Sequence, residues 1–340
     1  MKDKGKMNEH RKNNLVVSPE SDQKNSKHTA IISDLHLCEA QVPIPEFPLW
    51  KKFKTREFFF DERFADFLGL IQFKARGDAV ELILNGDIFD FDSVMKVPEY
   101  PLFRVNWLER RRGLFPRAER ARFKIKVILD DHKEFIEALA DFVRAGHRVV
   151  FVIGNHDLEL HFAEVQEEIR AHLHLGKEEH ERVIFADWFY ISNQDTLIEH
   201  GNQYDPYCMC EDPINPFLRG YNFISIKLPF GNLACRYIMN GMGFFNPHVD
   251  SNYIMTLKQY LYFFFKYVAR AQPDLMITWF WGSVVTLIHS FIDRLRAPLR
   301  NPLTIEERID AIRLTRSIGT VTIPNLVMGA RQSGEGGPVW

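Results

Sequence analysis

At 340 residues, with 46% hydrophobic and 26% charged residues, the chain has globular composition and enough length to bury a substantial core, which excludes disorder for its bulk, collagen and coiled coil. A formal net charge of −2 removes whole-molecule attraction to nucleic acid, so any anion site must be built locally. Four cysteines, Cys38, Cys208, Cys210 and Cys235, are too few and too irregular for a disulfide scaffold or a zinc knuckle, and a reducing cytosol is the expected compartment.

Residues 1–27 are polar and lack the apolar run of a secretory signal, and they read as a disordered tail. From residue 28 short apolar runs alternate with helical patterns. Ala30-Ile31-Ile32, Val80 to Leu84 and Val149 to Ile153 are expected as buried parallel strands, each ending in polar residues. Phe64, Phe67, Leu68 and Ile71 predict a helix stopping before Gly77, and Phe135, Ile136, Leu139, Phe142 and Val143 predict another stopping at Gly146. Two further strands are expected around Val183 to Ile191 and Thr196 to Glu199. This alternation predicts βαβ units in a layered α/β fold, with 28–200 as the first part of its core.

From 201 to 303 the rhythm breaks into Phe/Tyr/Trp-rich sequence, read as an inserted, hydrophobic helical cap. Leu275 to Ile292 carries no formal charge over eighteen residues, but Gly282, Ser283, Thr286 and His289 dilute it, which favours a packed or interfacial helix over a membrane span. A capping box at Thr304-Ile305-Glu306-Glu307 opens a helix, and Val321 to Met328 predicts the last strand, so 304–329 returns to the core before an atypical tail at 330–340.

The chemistry lies at the strand ends, where open α/β sheets place ligands. In order these offer Asp34-Leu35-His36, Gly86-Asp87-Ile88-Phe89-Asp90, Gly154-Asn155-His156-Asp157 and His200-Gly201-Asn202. Carboxylate, imidazole and amide oxygen together suit a divalent metal such as manganese, iron or zinc. If the chain stays extended, Asp34 and His36 point to the same side and reach one ion. Asp87 is the candidate bridge between two ions, Asn155 supplies a neutral oxygen and His200 an imidazole. Asp90 fits a supporting or helix-start role.

These four motifs resemble those of the calcineurin-like metallophosphoesterase superfamily. The resemblance implies a layered α/β sandwich and two divalent metal ions, with manganese the leading expectation over iron or zinc. It implies that Asp34 and His36 bind the first metal, that Asp87 bridges, and that Asn155 and His200 bind the second. His156 would act on the substrate phosphate, oriented by Asp157. The family's final Gly-His-x-His is missing: Gly329 is followed by Ala330-Arg331-Gln332. Three readings stay open for that departure: divergence toward a weak or inactive homologue, replacement ligands such as His248 or His289, and a frame error or truncation.

Asp-Leu-His-Leu-Cys at 34–38 and the long hydrophobic insertion are also distantly similar to UDP-2,3-diacylglucosamine pyrophosphohydrolases, although His156 stands where those carry Arg and Asn202 where they carry Asp. The expected partner is a phosphorylated small-molecule or lipid-like substrate. A basic segment from Arg104 to Lys126 is compatible with peripheral contact on anionic lipid, or with a solvated loop face. Its aromatics are not spaced as a stacking platform, which argues against nucleic acid. The expected function is metal-dependent hydrolysis of phosphomonoesters, phosphodiesters or pyrophosphates, with a catalytically impaired membrane-peripheral binding protein as the alternative.

Overall fold

The computed structural model describes residues 26–46, 51–100, 102–205, 207–219, 224–237, 240, 258, 262, 265 and 273–296. Among these residues four strands form one parallel sheet in the order β1 (His28–Ile32), β2 (Val80–Asn85), β3 (Arg148–Val152) and β4 (Val183–Ala186). The register pairs Ile32 with Leu84, Asn85 with Val152 and Val152 with Ala186. The strands therefore finish nearly level, and the polar residues after them emerge along one edge.

Because consecutive parallel strands lie side by side in chain order, right-handed crossovers put all connecting helices on the same face. There α1 (Asp61–Ala75), α3 (Ala118–Asp131), α4 (Lys133–Arg144) and α5 (Ala163–Leu173) pack on one another. Aromatic rings make much of that core. Phe151 stacks on Phe185 with centroids 4.9 Å apart, and Phe64 meets Phe135 at 4.4 Å. The opposite face is covered by an antiparallel hairpin of β5 (Phe189–Ser192) and β6 (Thr196–Glu199), whose Tyr190 and Ile198 pack on Ile83, Val150 and Val152. The result is the expected layered α/β architecture.

Two expectations need correction. The single strand predicted over Val183 to Ile191 is two: Phe185 pairs with Phe151 in the parallel sheet, whereas Tyr190 pairs with Ile198 in the hairpin, so the chain bends at Asp187-Trp188 to change partners. The basic segment is not a loop turned to solvent throughout. It forms α2 (Trp107–Arg112) and α3, and its charges are partly internal. Lys124 Nζ is fully buried 2.6 Å from Glu159, and buried Arg120 lies 2.6 Å from Glu109, which also closes the Asn106 capping box of α2. Such buried pairs are strongly destabilised by losing one partner, so these cations have a structural duty that composition does not reveal.

Beyond the hairpin, β7 (Phe217–Arg219) pairs with β8 (Ile224–Ile226), and α6 (Phe230–Tyr237) packs against the long α7 (Pro273–Arg296). Among the described residues no helix is long and apolar enough to cross a membrane. Helix α7 nevertheless exposes Ile277, Trp281, Ile288, Phe291 and Leu295, which recur at helical spacing along one stripe. The predicted helix and strand of 304–329, the tail at 330–340 and His248 lie outside the described residues.

Candidate metal centre

Three strand tips and the loop after β6 converge on Asp87. Asp34 and His36 follow β1, Asp87 follows β2, Asn155, His156 and Asp157 follow β3, and His200 follows β6. The tip of β1 is tied to that of β2 by backbone donations from Asp34 N to Gly86 O (3.1 Å) and from His36 N to Asp87 O (2.9 Å). The expected extended path at this tip is not what occurs. Asp34 and His36 both take left-handed backbone conformations, with φ of 58° and 47°, and so does Asp87 at 53°. Residues with a Cβ adopt that region at a cost, and such strain concentrates at functional sites. A left-handed twist at both ends of the tripeptide, rather than strand alternation, sets Asp34 Oδ1 3.9 Å from His36 Nε2.

Two glycines make the convergence possible. A Cβ on Gly86, whose φ is +78°, would stand 2.4 Å from the His200 ring, and one on Gly154 would stand 2.4 Å from Asp87 Oδ1. Both positions exclude any side chain.

Among the described residues the ligand atoms fall into two clusters, each within 4.8 Å: His36, Asp87 and His156 form one, and Asp34, Asp87 and His200 form the other. Asp87 belongs to both, the arrangement a carboxylate needs to bridge two cations. The donor set, oxygen and imidazole nitrogen without thiolate, fits manganese, iron or zinc. His200 sits with Nε2 3.2 Å from Asp87 Oδ2, while its Nδ1 lies 2.9 Å from Asn85 O, which fixes the tautomer that offers Nε2 to a cation.

Protonation in this cluster is strongly shifted. Burial works to raise the Asp87 carboxyl, but His156, His200 and His36 outweigh it and hold it well below the usual range. Burial works to lower the His156 imidazole, yet Asp87 and Asp90 push it up to about 10. Against the same penalty, the contact with Asp87 pushes His200 up to about 9. Protons and divalent cations thus compete for the same nitrogens.

The remaining candidates are placed around this core. Asp87 Oδ1 accepts from His156 N at 2.8 Å, so the loop after β3 wraps over the carboxylate. Asp157 is fully buried and accepts from Gly154 N (2.6 Å) and Ile88 N (2.8 Å), which fastens that loop to the one after β2. Burial first, and Asp87 second, push its carboxyl up to about 7. The carboxylate facing His156 Nδ1 is Asp90, at 3.4 Å, which also accepts from Ser93 N. His289 is not at this rim: it lies 3.1 Å from Tyr237 Oη, stacks near Phe115 and belongs to neither ligand cluster, so it does not replace a missing imidazole.

One residue was not visible in the sequence. Asn232, fully buried on α6, accepts from Asn155 Nδ2 (3.3 Å) and donates from its own Nδ2 to Asn155 O and Asp92 Oδ2, both at 2.7 Å. By engaging Asn155 Nδ2 it leaves Oδ1 as that amide's ligand atom. Its place in an aromatic-rich segment with no motif gave no signal beyond being a polar residue in an apolar run.

A family model described as calcineurin-like phosphoesterase matches residues 27–228. Comparison with curated proteins and with solved structures found no significant match.

Proposed function

This chain belongs to the calcineurin-like phosphoesterase family, and from that premise we propose that it is a metal-dependent hydrolase of phosphomonoesters, phosphodiesters or pyrophosphates. The observation that carries the reading is the pair of ligand clusters sharing Asp87. By the family pattern Asp34 and His36 would hold one cation and Asn155 and His200 the other, with Asp87 shared between them; the clusters themselves set Asp34 beside His200 and His36 beside His156, so Asp87 is the one ligand on which both groupings agree. Two divalent ions, manganese before iron or zinc, supply there the charge that polarises a phosphoryl group and acidifies the attacking water.

The protein's own groups do the rest. His156 turns Nδ1 toward Asp90, and Nε2 is the atom assigned to protonate the leaving oxygen. Asp157, by gripping the backbone of Gly154 and Ile88, sets the angle at which Asn155 and His156 leave β3. Asn232 orients the Asn155 amide and so links α6 to the rim.

The substrate class we favour is amphipathic or membrane-associated, with α7 as the peripheral contact. The support is its exposed stripe, in which Ile277 and Phe291 are 71% and 62% exposed; such a surface suits an interface more than bulk water. A second reading, a binding protein with impaired turnover, rests on Ala330-Arg331-Gln332 standing where the family pattern has imidazoles.

The test is turnover of p-nitrophenyl phosphate and bis-p-nitrophenyl phosphate by purified protein with added manganese, alongside metal analysis. The wild type is expected to bind manganese and cleave one or both, and Asp87→Ala to lose both properties. If the wild type carries no more metal and no more activity than Asp87→Ala, the hydrolase reading falls and the binding-protein reading takes its place.

A further inference from the structure

Between β1 and α1 the chain carries four phenylalanines in eight residues, Phe53, Phe58, Phe59 and Phe60. All four line one cavity of about 410 Å³ together with Asp34 and His36. That volume falls in the range of small-molecule sites, about 300–1,000 Å³. The cavity therefore shares its edge with the metal-centre residues and is otherwise mostly aromatic and aliphatic, Leu35 and Leu37 included.

Its polar inventory is small. His132 lines it, but Nδ1 lies 2.9 Å from Asp61 Oδ1 and Nε2 2.9 Å from Cys38 O, so both nitrogens are engaged within the protein. The His132 ring packs on Phe59 at 4.1 Å between centroids, which fixes the Phe59 ring. The Cys38 thiol is pushed up to about 12 by burial, and offers no nucleophile. Phe58 and Phe60 remain 49% and 38% exposed. A nucleobase would find almost nothing to bond its polar edge, whereas an apolar group would cover aromatic surface now facing solvent.

We infer that this cavity receives the apolar organic group of the substrate, an aryl or compact acyl ester, while its phosphate lies on Asp34, His36 and their neighbours. The placement of the phosphate rests on the hydrolase reading; the affinity of the cavity for an apolar group does not.

The experiment uses calorimetric binding of 1-naphthylmethylphosphonate, which has no ester bond to break, and of methylphosphonate, to full-length protein with manganese. Turnover of 1-naphthyl phosphate and glycerol phosphate is measured in parallel. Phe58→Ser and Phe60→Ser alter half-exposed side chains, and Phe73→Ser, on the exposed face of α1, is the control. The naphthyl ligand is expected to bind more tightly than the methyl one, and each of the two rim variants to lower that preference about tenfold, the lower end for a lost hydrophobic contact. Methylphosphonate binding and glycerol phosphate turnover should be unchanged, as should everything in the control. Equal binding of the two phosphonates, or a preference indifferent to Phe58 and Phe60, overturns the inference even if every ester is cleaved. A Phe58-dependent preference in a protein that cleaves no ester sustains the cavity and sinks the hydrolase reading instead.

Discussion

At the strand tips, charged side chains, all but the exposed Asp34 withdrawn from solvent, are paired with one another, whereas along α7 large apolar side chains stand in solvent. The rim is held by backbone: level strand ends, left-handed turns at Asp34, His36 and Asp87, and two glycines with no room for a Cβ. Helix α7 is held by side-chain packing on α6 and keeps one face uncommitted. The contrast follows from the forces used. Ligand geometry is directional and short-ranged, so the groups that supply it need a rigid frame. Apolar association is proportional to area and has no direction, so a stripe on a helix suffices. Helix α6 joins the two regions, with Asn232 reaching the rim and Tyr237 meeting His289 on α7.

If the rim depends on backbone geometry, Gly154→Ala should be as damaging as deleting a ligand. Its Cβ would meet Asp87 Oδ1 and Asp87 N, at 2.4 and 2.6 Å, so bound manganese and phosphoesterase activity should both vanish while the thermal unfolding transition persists. A fully active Gly154→Ala protein would break the comparison at its strongest point.

Asn232→Ala tests the joint between the regions. Releasing the Asn155 amide should weaken manganese binding about 10–100-fold, the usual effect of losing a group that orients a ligand. Wild-type affinity in that variant would mean that α6 only covers the rim.

Proton competition gives the next effect. His200, raised to about 9, is charged at neutral pH in the metal-free protein and must be neutral to ligate. Manganese affinity should therefore rise with pH through the neutral range, by about tenfold per unit for each proton released, and level off above about 9. Calorimetry in buffers of different ionisation enthalpy should count the released protons; a buffer-independent heat would contradict the pairing of His200 with Asp87.

The smallest effect belongs to the apolar stripe. Trp281→Ser combined with Phe291→Ser should reduce co-sedimentation with anionic vesicles and leave turnover of water-soluble esters unchanged. A parallel fall in soluble turnover would show that α7 serves the rim rather than an interface.

Much of this was legible in residue order. Apolar runs closed by Ser33-Asp34, Gly86-Asp87 and Gly154-Asn155 announce parallel strands and a polar edge, because buried strands must be apolar until they leave the sheet. The helix of Phe64, Phe67, Leu68 and Ile71 was equally plain from its period. Illegible were the break at Asp187-Trp188, since either half suits a strand and only the choice of partner divides them, and the inward turn of Lys124 and Arg120, since burial depends on Glu159, 35 residues on, for the one and on Glu109 of α2 for the other. Asn232 lies outside the span that the family model matches and is placed at the rim by packing alone.

Local pattern thus determined the strand and helix types, the polar tips and the kinds of donor atom that Asp34, His36, Asp87, Asn155 and His200 offer there, because periodicity and residue type are properties of neighbours in the chain. Tertiary structure alone decided that Asp87 stands in two clusters, that Asn232 orients Asn155, and that four phenylalanines close a cavity against Asp34 and His36. Each of those facts is a distance between groups far apart in sequence, and such distances are set by strand register and helix packing rather than by any residue's own preference.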